Sequence, residues 1–398
     1  MEIALLAGDL IDAAEATALL GVGRATLYAY VSRGQIRAEP DPADPRRRLY
    51  RRVDIEALRT RKARGRRPET VAETTLDWGL PVLESGITRI ADGRLHYRGR
   101  DATALAGTAT LEATARLLWD CGATDPFDRP APPMPAAWPA VLPHLTALTP
   151  IERAAALLAL TPPSLPTAGR AAARLWPEAS DLLRLVAAAT IGRAPSDQPI
   201  HQALAEAWGL DAAGAARLRA ALVLSADHEL NTSAFTVRCV ASTGAALPAA
   251  LLGGLAALSG PRHGGMTAQV EVLFEALARD GDAERLVAGR LARGEGVPGF
   301  GHPLYPAGDP RGAALLALAA PDARAEALVR AVADLAGQAP TIDVGLVALS
   351  RGLGLPAGAA IALFAIGRTA GWLAHALEQV GEGRLIRPRA RYVGPAPV

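Results

Sequence analysis

GFGHPLYPAGDPR, residues 299–311, places His302 directly after a glycine and ends on Arg311. Two further segments put a histidine among small or polar residues: LSGPRHGG (258–265) contains His263, and ADHELNTSAFTVR (226–238) contains His228. Glycine allows the backbone and a ligand to approach closely. One such histidine is more often a hydrogen-bonded structural group, but three of them together with nearby arginines indicate a site for binding or catalysis.

The composition favours a helical protein. The chain has 398 residues, of which 50% are hydrophobic but only 4% aromatic, so its apolar content is mostly Ala, Leu and Val. This length predicts two or three folded units around a large core, and this content favours a mainly α fold. Two cysteines, Cys121 and Cys239, do not make a disulfide framework, so we expect a reducing compartment, the cytoplasm. We expect no metal site.

No membrane segment is expected. The first twenty residues contain acidic residues and no basic stretch, unlike a signal peptide. Residues 241–260 carry no charge, but Pro248 and several glycines make a buried core or subunit-interface helix the better interpretation.

Positive charge is concentrated near the N-terminus, where residues 31–70 contain 13 basic and 6 acidic side chains. GVGRATLYAYVSRG (21–34) follows a helical segment, and an Arg-rich stretch (46–52) comes after it. These residues resemble the winged helix-turn-helix of the MerR/excisionase type, over residues 1–64. The resemblance implies binding to duplex DNA, for which the candidate side chains are Arg24, Thr26, Tyr28, Arg46, Arg47 and Arg48. The alternative is a small helical adaptor with a solvated basic face.

A charged linker (65–76) is predicted to lead into the longer helical body. Residues 87–97 alternate around Asp92-Gly93, which predicts a β-hairpin. Further on, Val270, Leu273 and Leu277 share one helical face, as do Leu328, Val332 and Leu335.

From about residue 77 to the C-terminus the chain resembles the citrate synthase family. Beyond the three histidine segments, the resemblance rests on GLPVLESGITRIADGRLHYRGRD (79–101), TID (341–343), FAIGRTAGW (364–372) and RLIRPR (384–389), in the family's order. It implies a multihelical fold with a large domain (77–264 and 356–398) and a small domain (265–355). It also implies condensation of an acyl-CoA with a 2-oxo diacid such as oxaloacetate, with no tightly bound cofactor.

The resemblance assigns roles that meet the needs of this chemistry. Enolisation of a thioester requires a base and a hydrogen-bond donor for the enolate oxygen, and the keto group must be polarised. By resemblance, Asp343 is the base, His263 stabilises the enolate and His302 polarises the keto carbonyl. An ordinary helix N-cap is the alternative interpretation of Asp343.

The substrate's carboxylates need cations. By resemblance, His228, Arg311, Arg368 and Arg387 hold the oxo acid, and guanidinium groups suit bidentate capture of carboxylates. The family's counterpart of Arg387 enters the neighbouring subunit's site, so a homodimer is implied.

The sequence departs from the family at positions that concern CoA. Pro303, Leu304 and Pro306 stand where the family usually has basic residues that grip the CoA phosphates. Arg262 occupies a usually apolar position, and Thr267 stands where Asn is common. We therefore expect an intact site for the oxo acid and a weak or altered site for CoA.

Three functions are compatible with these observations. The first is a homodimeric acyltransferase of the citrate synthase type with a fused helix-turn-helix, which explains the histidines, Asp343 and the arginines. The second is a DNA-binding regulator whose citrate-synthase-like body dimerises it and senses a metabolite without turnover. The third, a pure scaffold, leaves the polar residues unexplained.

Overall fold

The computed structural model describes residues 10–32, 35–41, 44–56, 58, 83–319 and 322–395. The predicted linker (65–76) lies outside the described residues, as do several positions of the predicted winged helix-turn-helix. The chain forms two compact units, residues 1–84 and 85–398. As expected, the second unit is mainly helical.

In its described residues, the first unit combines two helices and a further helical stretch at residues 52–56 with a small antiparallel sheet. Its elements are β1 (Leu10–Ile11), α1 (Ala13–Leu20), α2 (Arg24–Ser32), β2 (Ala38–Asp41) and β3 (Asp44–Arg51). The strand order is β1-β3-β2. The carboxylate of Asp12 caps α1, and Gly21 ends it in the left-handed region at φ 60°. This glycine makes the tight turn into α2 possible.

The core of this unit joins both helices to the sheet. Leu20, Leu27 and Tyr50 are buried together with Ile36 and Ile55. Outside this core, Arg24, Thr26 and Tyr28 are exposed on α2, and Arg47 and Arg48 are exposed on β3. The backbone of Arg46 lies in β3, but its side chain is outside the described part of the structure.

The second unit begins with the predicted hairpin. Strands β4 (Thr88–Ala91) and β5 (Arg94–Tyr97) pair around a turn at Asp92 and Gly93, and β6 (Arg100–Asp101) completes the sheet. The hairpin prediction is therefore confirmed. Tyr97 is fully buried, and its hydroxyl lies within 3.3 Å of the main-chain carbonyl oxygens of residues 223, 224 and 227, at the end of a later helix.

The remaining elements are helices, interrupted by two short 3-10 segments at Leu142–His144 and Ala172–Leu175. They are α3 (Ala102–Thr108), α4 (Leu111–Leu118), α5 (Trp138–Val141), α6 (Pro150–Ala159), α7 (Trp176–Ile191), α8 (Ile200–Ala207), α9 (Ala212–Ser225), α10 (Thr232–Ala241), α11 (Leu247–Leu258), α12 (Met266–Asp280), α13 (Ala283–Ala292), α14 (Pro310–Leu318), α15 (Ala323–Ala336), α16 (Ile342–Gly352) and α17 (Ala359–Glu382).

Helix α17 is the centre of this unit. It packs against α4, α7, α9, α10, α11 and α16. Among the described residues it alone is long and apolar enough to cross a membrane, but 94% of its apolar window is buried inside the protein. Such burial is typical of the core helix of a globular protein. Close packing is possible because Gly367 and Gly371 face α9, where an added Cβ would lie 2.6 and 2.3 Å from main-chain oxygens.

The apolar stretch 241–260 forms mainly α11, whose Leu251 and Leu255 are fully buried. On α12, Val270, Leu273 and Leu277 are buried on one face, as predicted. On α15 the prediction is wrong for Leu335, which is 42% exposed, whereas Leu328 and Val332 are buried. Leu335 lies in the last turn of its helix, where the neighbouring elements no longer cover it.

Candidate active site

Asp343 lies in the first turn of α16. The helix is capped by Thr341, whose hydroxyl accepts the Asp343 N–H at 3.3 Å and lies 3.1 Å from the Asp343 carboxylate. The interpretation of Asp343 as the N-cap is therefore wrong, because Thr341 fills that role and leaves the Asp343 side chain available. Burial raises the pKa of Asp343 to about 6, although the Thr341 hydroxyl and Arg311 oppose the shift. A carboxylate with such a pKa suits a base that works near neutral pH.

His263 lies in a tight turn just before α12. Its Nε2 is 2.8 Å from the Ser233 hydroxyl, and its ring meets Phe364 edge-on at 6.1 Å between centroids. Burial, helped by the charge of Arg368, lowers the pKa of His263 to about 4. The ring is therefore neutral at pH 7 and can donate a single hydrogen bond without carrying charge.

His302 follows Gly301, and its Nδ1 accepts the backbone N–H of Leu304 at 3.2 Å. With Nδ1 as the acceptor, the proton of the neutral ring is on Nε2, which is then a donor. Burial and the charge of Arg311 lower the pKa of His302 to about 4. The turn requires glycine at 299, where φ is 82° and an added Cβ would lie 2.5 Å from Val270 Cγ2.

Tyr305 brings His228 and His302 together. The Tyr305 hydroxyl is 3.0 Å from His228 Nε2, and the rings of His228 and His302 meet edge-on at 5.1 Å. Burial lowers the pKa of His228 well below its usual value, and Arg311 and Arg368 lower it further. Because both arginine charges affect the pKa of His228, both guanidinium groups lie near the histidines.

Arg311 is buried at the start of α14 and forms a two-point ion pair with Asp309. Its Nε and Nη2 donate to the two carboxylate oxygens at 3.0 and 2.7 Å, and its guanidinium lies 5.6 Å from the centre of the Tyr305 ring. The charge of Asp309 and its hydrogen bonds raise the pKa of Arg311, despite burial. Asp309 also accepts the N–H of Ile342 and so joins α14 to the start of α16.

Arg368 projects from the middle of α17. Its Nε donates to the carbonyl oxygen of Ser225 at 2.9 Å, and its guanidinium lies over the Phe364 ring at 4.7 Å. Within the described residues its buried Nη2 has no hydrogen-bond partner. Burial lowers its pKa to about 10, so the group stays charged at neutral pH. A buried cation with a free donor is a suitable partner for a carboxylate ligand.

The structure thus brings six of the seven predicted residues of the body into one site: His228, His263, His302, Arg311, Asp343 and Arg368. Arg387 is the exception. It lies after the end of α17, exposed, in a segment without regular secondary structure. Among the described residues no group of histidine, cysteine and acidic side chains is placed to hold a metal ion.

Sequence reasoning did not identify several residues that support this site. Ser233 and Tyr305 contact the histidines directly, Asp309 pairs with Arg311, and Trp372 donates its indole N–H to the Ser233 hydroxyl at 3.0 Å. All four lie inside the motifs that were quoted from the sequence. The sequence could have indicated Asp309 and Tyr305, because a polar and an aromatic residue stand in the same glycine-rich segment as His302.

Comparison with known proteins gives a consistent result. The sequence profile of the citrate synthase C-terminal domain matches residues 75–389, and that of a helix-turn-helix domain matches residues 10–63. The citrate synthase of Haloferax volcanii is 39% identical over 191 residues, which are 44% of this chain and 49% of that protein. The chain spans about half the length of the curated relatives it matches.

Solved structures share the fold. The crystal structure of citrate synthase from Thermotoga maritima superposes with a TM-score of 0.69 at 27% identity, covering 80% of this chain and 95% of that one. A ternary complex of the Thermoplasma acidophilum citrate synthase with carboxymethyl coenzyme A and oxaloacetate superposes with a TM-score of 0.66 at 22% identity, covering 80% and 95%. With the profile covering most of the sequence, the chain belongs to the citrate synthase family and carries a helix-turn-helix domain at its N-terminus.

Proposed function

We propose that the protein is an acyltransferase that condenses an acyl-CoA, with acetyl-CoA as the expected donor, with a 2-oxo diacid, with oxaloacetate as the expected acceptor. The observation that carries the proposal is the meeting of a carboxylate of raised pKa, two neutral histidines and two buried arginines in one site. The complex of the Thermoplasma relative with a CoA analogue and oxaloacetate supports the choice of substrates. The CoA thioester is a substrate, and no tightly bound cofactor is needed.

Each group has a defined task in this reaction. Arg311 and Arg368 bind the carboxylates of the oxo acid, and His228 helps to hold it. The carboxylate of Asp343 takes a proton from the α-carbon of the thioester while the N–H of His263 stabilises the enolate oxygen. The enolate carbon then forms a bond to the keto carbon, as His302 Nε2–H donates to the keto oxygen and protonates it. Water then hydrolyses the thioester of the product, which breaks the C–S bond and releases CoA with its free thiol.

A homodimer with shared sites is part of the proposal. Arg387 is exposed in the segment without regular secondary structure that follows α17. In this arrangement Arg387 of the partner subunit contributes to the oxo acid site. Two subunits related by a two-fold axis exchange such segments reciprocally.

Hybrid dimers test the sharing of sites. An Arg387→Ala subunit supplies Asp343, and an Asp343→Asn subunit supplies Arg387, so each hybrid dimer contains one complete site. Random exchange makes half of the dimers hybrids, and about a quarter of wild-type activity is expected from a mixture of two inactive variants. Recovery of no activity, under conditions where subunit exchange is demonstrated by mass spectrometry, would contradict the role of Arg387.

The two substrates are expected to bind unequally. The buried arginines form a ready anion site, whereas the loop after His302 offers Pro303, Leu304 and Pro306 to the CoA phosphates. Oxaloacetate should raise the melting temperature clearly, and CoA esters only at higher concentration or after the diacid is bound. Calorimetric titration measures both affinities. Tight binding of acetyl-CoA to the ligand-free protein would show that other residues, such as the exposed Arg262, replace the missing cations.

The N-terminal unit supports a second activity, binding to duplex DNA. The exposed residues of α2 and β3, including Arg24, Thr26, Tyr28, Arg47 and Arg48, present positive charge and polar groups on a helix-turn-helix framework. The regulator without turnover is the alternative function, and it requires this binding as well.

DNA binding of the full-length protein should weaken steeply as salt rises. Each arginine that contacts a phosphate adds about one unit to the slope of log K against log salt. The double variant Arg47→Ala, Arg48→Ala should therefore reduce the slope by about 2. Arg330→Ala, an exposed position on α15, is the control. If a binding selection over random DNA duplexes enriches no sequence, and the amount of DNA that the protein retains does not depend on salt, the adaptor interpretation is correct.

A further inference from the structure

The Ser233 hydroxyl is the meeting point of three polar groups. It lies 2.8 Å from His263 Nε2 and 2.7 Å from Asn231 Oδ1, and it accepts the indole N–H of Trp372 at 3.0 Å. Ser233 and Trp372 are fully buried, so water does not compete for these bonds. The single proton of this hydroxyl has two possible acceptors, His263 and Asn231.

The choice between these acceptors decides the tautomer of His263. If the hydroxyl donates to Nε2, the ring proton is on Nδ1. If it donates to Asn231, Nε2 must carry the proton and donate to the Ser233 oxygen. Only the first arrangement leaves an N–H on the side of the ring that has no partner among the described residues, where a thioester oxygen can be reached.

Two features favour the first arrangement. The indole of Trp372 can only donate, so it occupies one lone pair of the Ser233 oxygen and polarises the O–H as a donor. Asn231 Oδ1 already accepts the backbone N–H groups of Ser233 and Ala234, each at 3.1 Å, because Asn231 caps α10. The remaining strong acceptor for the hydroxyl proton is His263 Nε2.

We propose that Trp372 is a positioning residue that sets the tautomer of His263 through Ser233. Its consequence for turnover rests on the proposed function, while the tautomer itself is a property of the ligand-free protein. The indole is held in place by close packing: an added Cβ at Gly254 of α11 would lie 2.8 Å from Trp372 Cδ2. Trp372 also lies one turn beyond Arg368 on α17, so one helix presents both the anion-binding cation and the group that orients the enolate donor.

The variant Trp372→Phe keeps a buried aromatic ring but removes the indole N–H, together with part of the ring volume. Trp119→Phe is the matched control, because Trp119 is also buried and donates its indole N–H to α17, at the carbonyl of Ala370 (2.9 Å). Both variants lose one buried hydrogen bond to the same region, so their losses of thermal stability should be similar. Only Trp372→Phe should change the tautomer.

The test is ¹⁵N NMR of histidine-labelled, ligand-free protein at pH 7, with the His263 signals assigned by their loss in His263→Ala. Wild type and Trp119→Phe should show His263 protonated at Nδ1, and Trp372→Phe should show a mixture with the Nε2–H form. Wild-type protein protonated at Nε2, or an unchanged tautomer in Trp372→Phe, would overturn the proposal. The wild-type measurement stands even if Trp372→Phe does not fold, and it does not depend on any catalytic activity.

Kinetics supply the second measurement. Trp372→Phe should lower kcat with acetyl-CoA and oxaloacetate about 10-fold, with the KM for oxaloacetate unchanged, which corresponds to one well-placed hydrogen bond. Exchange of the acetyl protons of acetyl-CoA in D₂O, with malate as a non-condensing diacid, should fall by the same factor. An altered KM for oxaloacetate with unchanged proton exchange would indicate a structural role only. If wild-type protein shows neither reaction, the proposed function fails while the tautomer result remains.

Discussion

Asp343→Asn and His263→Ala should each lower turnover by at least about 10²-fold while the protein remains folded. In the proposed reaction the two residues act in one step, because removal of the α-proton creates the charge that the His263 N–H stabilises. Steady-state rates of thiol release measure the effect, and circular dichroism confirms the fold. Rates like those of wild type in both variants would contradict the assignment of base and donor.

The pH profile is an independent control on this step. Asp343 acts as a base only when ionised, and its pKa is raised to about 6. The rate of wild-type protein should therefore fall as the pH decreases through about 6. His263 and His302, whose pKa values are lowered to about 4, stay neutral over this range and do not contribute to the decline. In Asp343→Asn, the residual rate should no longer fall as the pH decreases through about 6.

The second large effect is expected at Arg368. Its Nη2 has no partner among the described residues, and in the proposed reaction we expect a substrate carboxylate to bind there. Arg368→Gln should weaken binding of oxaloacetate by about 10²-fold or more, because a buried charge-assisted hydrogen bond is lost. Calorimetric titration measures this affinity.

Arg351→Gln provides the comparison for Arg368. Arg351 lies in the last turn of α16, exposed, with its guanidinium 5.8 Å from the centre of the Phe274 ring. This variant also removes one arginine beside a phenylalanine but should leave the affinity for oxaloacetate unchanged. Equal losses in both variants would indicate a general electrostatic effect rather than a carboxylate site at Arg368.

Local signals in the sequence were sufficient for much of the fold. The Asp92-Gly93 turn fixes the hairpin, and the glycines at 299 and 301 adopt positive φ angles that few other residues tolerate. The sequence predicted the apolar face of α12 correctly because its period is 3.6 residues and every member is buried. The same pattern failed at Leu335, since periodicity does not show where a neighbouring element stops.

The sequence predicted the site residues that lie together in short motifs. It did not predict the contacts between residues that are far apart in the sequence. Thr341 and Asp343 are both polar and adjacent to a helix start, so the sequence alone did not decide which of them is the cap. The contact of Trp372 with Ser233 joins residues 139 positions apart, and neither residue has a pattern that indicates the other. The contribution of Arg387 to a partner subunit was inferred from resemblance and remains a prediction.

Release of free thiol from acetyl-CoA in the presence of oxaloacetate shows whether this site performs the condensation and the hydrolysis that follows it. Propionyl-CoA and a panel of other 2-oxo acids identify the preferred pair. We expect thiol release that requires both substrates and falls by at least about 10²-fold in Asp343→Asn. No thiol release from any pair, with oxaloacetate bound and the fold intact, would contradict it and favour a regulator that senses the diacid without turnover.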